Sequence, residues 1–168
     1  MRKIAAVALM ALLVTPVVAF AAKAPRVGIG STAQLWTPLP YPYDEKADAD
    51  AQIAAATARA RAGHKLLLID FGGNWCGDCR ILAGVMRLPE VEPFIDQHYE
   101  VVTVDVGRLD HNTQILARYG VSDIEGVPAL LIIDEQGKVL NRRELLDVTD
   151  KRHTRPQQMV DWLAKWTR

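Results

Sequence analysis

The run Lys65-Leu66-Leu67-Leu68-Ile69-Asp70-Phe71-Gly72-Gly73-Asn74-Trp75-Cys76-Gly77-Asp78-Cys79, continuing into Arg80-Ile81-Leu82-Ala83-Gly84-Val85-Met86-Arg87-Leu88, decides how this chain folds. Lys65 to Phe71 is too short for a helix and apolar on both faces, which predicts a central strand buried on both sides. Arg80 to Leu88 carries apolar residues at helical spacing. Between the two lie Cys76 and Cys79, the only cysteines of the chain.

A C-x-x-C pair alone is compatible with half of a zinc site, a copper ligand pair or a redox disulfide. Structural zinc needs four ligands, usually with a second close-spaced pair. His64, His98, His111 and His153 are scattered without such spacing, and each reads as a surface or internally satisfied residue. No metal site is expected. The redox reading fits the position better. After a strand and at the first turn of a helix, Cys76 faces free N–H groups and the positive end of the dipole, which favour a thiolate. Thiolate is the form that attacks a disulfide, and Cys79, one turn on and more buried, can reach back to resolve the mixed disulfide. Asp70 adds a further element. A carboxylate in an apolar strand is costly and should titrate high, which would let it accept the Cys79 proton.

Outward from this stretch, the chain has 168 residues, 20 Lys+Arg against 20 Asp+Glu, and 49% hydrophobic residues. That suits one domain, and the zero formal charge gives no electrostatic footprint for nucleic acid or an anionic membrane. Two cysteines exclude a disulfide-dense scaffold. Met1-Arg2-Lys3, the apolar run Ile4 to Val18 and Ala19-Phe20-Ala21 have the order of an export signal cleaved after Ala21, with an uncleaved anchor as the alternative. Ala22 to Tyr43 holds Pro25, Pro38, Pro40 and Pro42 with Trp36, Tyr41 and Tyr43, which predicts an extended strap packed on the domain by its aromatics. Alanine-rich Lys46 to Ala62 predicts a helix capped by Asp44 or Asp48 and closed by Gly63. Downstream come a helical stretch over Glu90 to His98, a strand over Val101 to Val106 and a short helix over Thr113 to Tyr119. A strand over Val127 to Ile133, a hairpin partner at Lys138 to Leu140 and a last helix from Pro156 to Trp166 complete an α/β order.

Trp75-Cys76-Gly77-Asp78-Cys79 resembles the W-C-G-P-C signature of the thioredoxin family. Leu68-Ile69-Asp70-Phe71 is similar to the family's strand before the site, Gly126-Val127-Pro128 to its cis-proline loop, and Tyr119-Gly120-Val121 and Asp134 to Lys138 match its flanking segments. The resemblance runs from about Ala47 to Trp166. It implies a thioredoxin-like α/β fold, a central mixed β-sheet flanked by helices. It further implies Cys76 as nucleophile, Cys79 as resolving thiol, Asp70 as the buried acid, and Trp75 on the rim. Pro128 would be cis and would set the Val127 backbone to pair with an extended substrate strand.

Three departures matter. Asp78, beside Gly77, stands where the family has proline; its charge should raise the Cys76 pKa and push the pair toward a reductant. Ser122-Asp123-Ile124-Glu125 lengthens the link before the cis-proline loop and should disfavour acidic partners. Val101 stands where a lysine often faces the buried acid. The expectation is therefore an exported, periplasmic, monomeric thiol–disulfide oxidoreductase without a cofactor. It would act on protein disulfides, as a reductant by the Asp78 argument, and draw electrons from a thiol donor such as a membrane relay. An oxidase or isomerase, or a copper-handling binding protein of the same shape, are the alternatives.

Overall fold

A computed structural model of the chain describes residues 21–145, 148 and 155–167. The export-signal pattern before Ala21, and His153, lie outside the described residues. Helix α1 (Ala49–Ala62) is capped by Asp48, whose carboxylate accepts the Ala51 N–H at 3.0 Å, and ends at Gly63. Its buried stripe is Ala49, Ile53, Ala56 and Ala60, and the three alanines let the helix lie close to the sheet. Strand β1 (Leu66–Gly72) is central, parallel to β2 (Tyr99–Asp105) on one side and antiparallel to β3 (Ala129–Ile133) on the other. The sheet is thus mixed, as expected.

Because side chains alternate along β1, Leu67, Ile69 and Phe71 enter one core with α1, Ile115 and Leu116. Leu68 enters the other core, with Leu82, Val85, Phe94, Val160 and Leu163 from α2 (Gly77–Met86), α3 (Glu92–His98) and α4 (Pro156–Ala164). Met86 belongs to that second core. Asp70 points to the same side, under α2. Tyr99 ties the layers together by donating its hydroxyl to the Leu163 carbonyl at 2.6 Å.

Two expectations change in detail. Thr113–Tyr119 winds as a 3-10 segment entered through Asn112 in the left-handed region. Lys138 to Leu140 forms only a single bridge, Val139 to Ile133, and not a strand. The reason is Asn141, which is buried on the outer edge of β3. Its side chain accepts the Ile132 N–H and donates to the Leu130 carbonyl, both at 2.8 Å, replacing the ladder a longer strand would supply. Asn141→Leu should leave both backbone groups unpaired and cost about 2 kcal/mol. Urea unfolding at pH 7 checks this, and a loss under about 0.5 kcal/mol would mean that the edge finds other partners.

The proline-rich segment is a strap, but its aromatics do not do the packing expected of them. Tyr43 is buried, whereas Trp36 and Tyr41 remain 80% and 65% exposed. Leu35 is the buried apolar anchor near the first of these. Val27, Ile29 and Leu39 also pack against the core, and hydrogen bonds add to this hold. Gln157 of α4 accepts the Val27 N–H and donates to the Pro25 carbonyl, and Arg80 of α2 donates to the carbonyls of Leu39 and Pro40.

Candidate active site

Strand β1 ends at Gly72, and Gly73 to Trp75 turn the chain into α2, with Cys76 as the helix N-cap. Its Sγ accepts the Cys79 N–H at 3.2 Å, so the sulfur occupies the place where a capping oxygen would sit. Cys79 is fully buried and Cys76 nearly so, and both are free thiols. The side-chain hydrogen bond from Cys79 holds the Cys76 thiol below its ordinary pKa, and the same bond, with burial, holds Cys79 well above. Asp78 does oppose the Cys76 thiolate, as its charge implies. That effect is smaller than the Cys79 hydrogen bond, so the net shift is downward and the expected rise does not occur. A Cβ on Gly77 would meet nothing within 4 Å, which leaves the approach to Cys76 open.

Trp75 lies on the rim, 46% exposed, with its indole N–H donated to the Gly107 carbonyl and the Arg108 guanidinium 4.7 Å above its ring. Opposite it, the Val127–Pro128 bond is cis, and the Val127 carbonyl lies 3.5 Å from Cys76 Sγ. In the lengthened link, Ile124 is buried in the core shared with α1, Ile115 and Leu116, while Asp123 and Glu125 stay exposed.

Asp70 is completely buried beneath this pair, and burial lifts its carboxyl from 3.8 to about 7. The residue facing it from β2 is not Val101. The register pairs Val101 with Leu68 and sets Thr103 opposite Asp70. The polar partner of Asp70 comes instead from the strap: the Tyr43 hydroxyl donates to Asp70 Oδ2 at 3.0 Å. Asn74 grips the Tyr43 backbone from both sides, accepting its N–H at 3.2 Å and donating to its carbonyl at 2.8 Å. The Thr103 hydroxyl donates to the Pro42 carbonyl at 2.8 Å. Tyr43, Asn74 and Thr103 are neighbours of the candidate site that sequence reasoning missed. The available clue was an aromatic at the end of a proline run, with a buried acid in need of a partner.

The histidines do not join the site as a ligand set. His64 meets Glu135, His98 stacks on Phe94, and His111 bridges Asp105 and Asp110. Among the described residues no three His, Cys, Asp or Glu side chains gather as a metal cluster.

Two thiols one helical turn apart at a helix N-terminus are suited to one chemistry, the reversible exchange of a dithiol for a disulfide. The sequence profile of the thioredoxin-like family matches residues 48–135. Thioredoxin from Alicyclobacillus acidocaldarius subsp. acidocaldarius is 32% identical over 93 residues, 51% of this chain and 84% of that protein. Thioredoxin from Mycobacterium bovis is 31% identical over 94 residues, 52% of this chain and 77% of that protein. The crystal structure of a disulphide isomerase from Xylella fastidiosa Temecula1 is 38% identical, with a TM-score of 0.67 over 77% of this chain and 99% of that one. The chain belongs to the thioredoxin-like family and is a thiol–disulfide oxidoreductase.

Proposed function

We propose that this protein is exported and exchanges the Cys76–Cys79 pair with disulfides of other proteins, acting as a reductant. The observation that carries the exchange reading is the asymmetry of the two thiols. Cys76, at the helix N-terminus, is held toward the thiolate, while Cys79 is buried and held toward the thiol. Cys76 is then the nucleophile that forms the mixed disulfide, and Cys79 the thiol that resolves it onto the enzyme. Asp70 is the acceptor of the Cys79 proton, and Trp75, Val127 and Pro128 frame the groove for the substrate chain.

Asp78 favours the reducing direction in sign, its charge weighing against the thiolate and so against the dithiol form, while the Cys79 hydrogen bond pulls the other way and is the larger effect at Cys76. Export is supported by the order of basic, apolar and small residues through Ala21; no helix among the described residues is long and apolar enough to cross a membrane. A reductant in an oxidising compartment needs a thiol donor, for which a membrane relay is the natural source.

Cys79→Ser should trap partners as mixed disulfides at Cys76, recovered from the exported fraction and identified by mass spectrometry. An absence of adducts there, with wild-type protein in the cytosol, would remove both exchange and export. Equilibration with glutathione should place the pair nearer about −270 mV than about −120 mV, the reducing and oxidising ends of this chemistry. Isomerisation is the second reading, favoured by the 38% identity to the Xylella fastidiosa disulphide isomerase. It requires that a substrate with scrambled disulfides regain its activity without net electron supply.

A further inference from the structure

Tyr43 is the one buried side chain of the site that comes from outside the family's shared core. It is 3% exposed, and its hydroxyl is hydrogen-bonded to Asp70 Oδ2. A Cβ at Gly72 would land on that hydroxyl and 2.9 Å from Cys79 Sγ, so the phenol and the thiol converge over the same point of β1. Tyr43, Cys76 and Cys79 form a single buried cluster with Val127 at its edge.

Few other groups can pass a proton to Asp70. Of its sheet neighbours, Leu130 is apolar and the Thr103 hydroxyl is taken by Pro42. Asp70 Oδ1 is buried without a hydrogen-bond partner among the described residues, and none joins Cys79 directly to the carboxylate. The titratable groups that face Asp70 are Tyr43 from the strap, Cys79 from α2 and Cys76 at its cap. Among the described residues, Tyr43 alone is hydrogen-bonded to it.

We propose that the Tyr43 hydroxyl relays the proton of Cys79 to Asp70 when the mixed disulfide at Cys76 is resolved. The relay rests on the exchange reading above. In the step, the Cys79 S–H proton passes to the Tyr43 oxygen while the Tyr43 O–H proton passes to Asp70 Oδ2. The Cys79 sulfur attacks Cys76 Sγ and forms the intramolecular disulfide. The bond from Cys76 to the substrate sulfur breaks, and its electron pair leaves with the substrate thiolate. The enzyme dithiol is oxidised, the substrate disulfide is reduced, Asp70 ends protonated, and the phenol is unchanged. Burial and the neighbouring acids hold the phenol's own ionisation far above its ordinary range, which suits a group that passes a proton without keeping a charge.

The test uses full-length Tyr43→Phe with glutathione disulfide as oxidant, following the mixed disulfide and its resolution by rapid quench and mass spectrometry from pH 5 to 9. Formation at Cys76 should stay within about twofold of wild type, while resolution slows roughly 100-fold, alkaline plateau included. Adding Asp70→Asn should slow resolution little further, because the two groups act in one path. An unchanged resolution rate would overturn the relay. So would a moved pH midpoint with an unchanged plateau, which would make the hydroxyl only a tuner of Asp70. Equal slowing of both steps with a lowered melting temperature would reduce Tyr43 to packing and overturn it too. If Tyr43→Phe does not fold, Asp70→Asn alone should slow resolution without slowing formation, and resolution at the wild-type rate would overturn the path. Wild-type protein that forms no mixed disulfide with glutathione would instead strike the exchange reading itself.

Discussion

Asp70→Asn should make the reduced protein more stable at pH 8 and leave its stability at pH 4 nearly unchanged. The carboxyl ionises at 3.8 in an ordinary setting and at about 7 in the folded chain, with burial as the main cause and the Tyr43 hydrogen bond opposing it. The folded state therefore binds the proton more tightly than the unfolded state. Between pH 4 and 7 the unfolded chain loses its proton first, so stability from this group is full below the lower value and falls as pH rises. At about 1.4 kcal/mol for each pH unit, the loss reaches roughly 4 kcal/mol above pH 7. Asparagine has the same shape and no such titration, so the variant should recover most of that difference. Denaturant unfolding of both proteins from pH 4 to 8 checks it. Parallel stability curves would mean that Asp70 ionises normally and that the buried acid is no proton acceptor.

Gly72→Ala should destabilise the fold by about 3 kcal/mol, the cost of forcing an extra methyl into a filled core. Gly72 lies in extended strand backbone, so the cause is space and not conformation. Its Cβ would strike the Tyr43 hydroxyl and phenol ring and crowd Cys79 Sγ at 2.9 Å. Something must move, and Tyr43, on a strap, gives way more easily than a helix or a strand. The variant should accordingly weaken the bond to Asp70 as well as the fold. Gly77→Ala, at the first position of α2 and in open space, is the natural comparison and should change stability by less than about 0.5 kcal/mol. Equal melting temperatures for Gly72→Ala and wild type would show that the phenol is not packed over this strand.

Much of the candidate site was legible in the residues, for reasons that differ from position to position. Cys76 and Cys79 announce themselves because a spacing of one helical turn directly after a strand brings two sulfurs within reach at a helix N-terminus. Asp70 is visible because a lone carboxyl in an apolar run has to be buried. Other positions depend on tertiary choices that short-range pattern does not encode. The spacing of Pro38, Pro40 and Pro42 predicts an extended path, but not that Tyr43 turns inward while Tyr41 stays out under Arg80. Val101 and Thr103 lie on the same face of β2, so a two-residue error in register keeps the face and changes the neighbour. Lys138 to Leu140 has the composition of a strand, yet Asn141 satisfies the edge of β3 with its side chain and leaves that strand little to pair with.

The strap has a consequence for where this enzyme can be divided. A chain cut at residue 48, where the family's shared core begins, would retain both cysteines, the mixed sheet and the cis-proline loop. It would lose the phenol over Asp70 and the Pro42 carbonyl that occupies Thr103. Water would hydrate the carboxyl in their place and return its titration toward that of an ordinary acid. The boundary of the inherited domain and the boundary of the working site do not coincide: the first begins five residues after the side chain that closes the second.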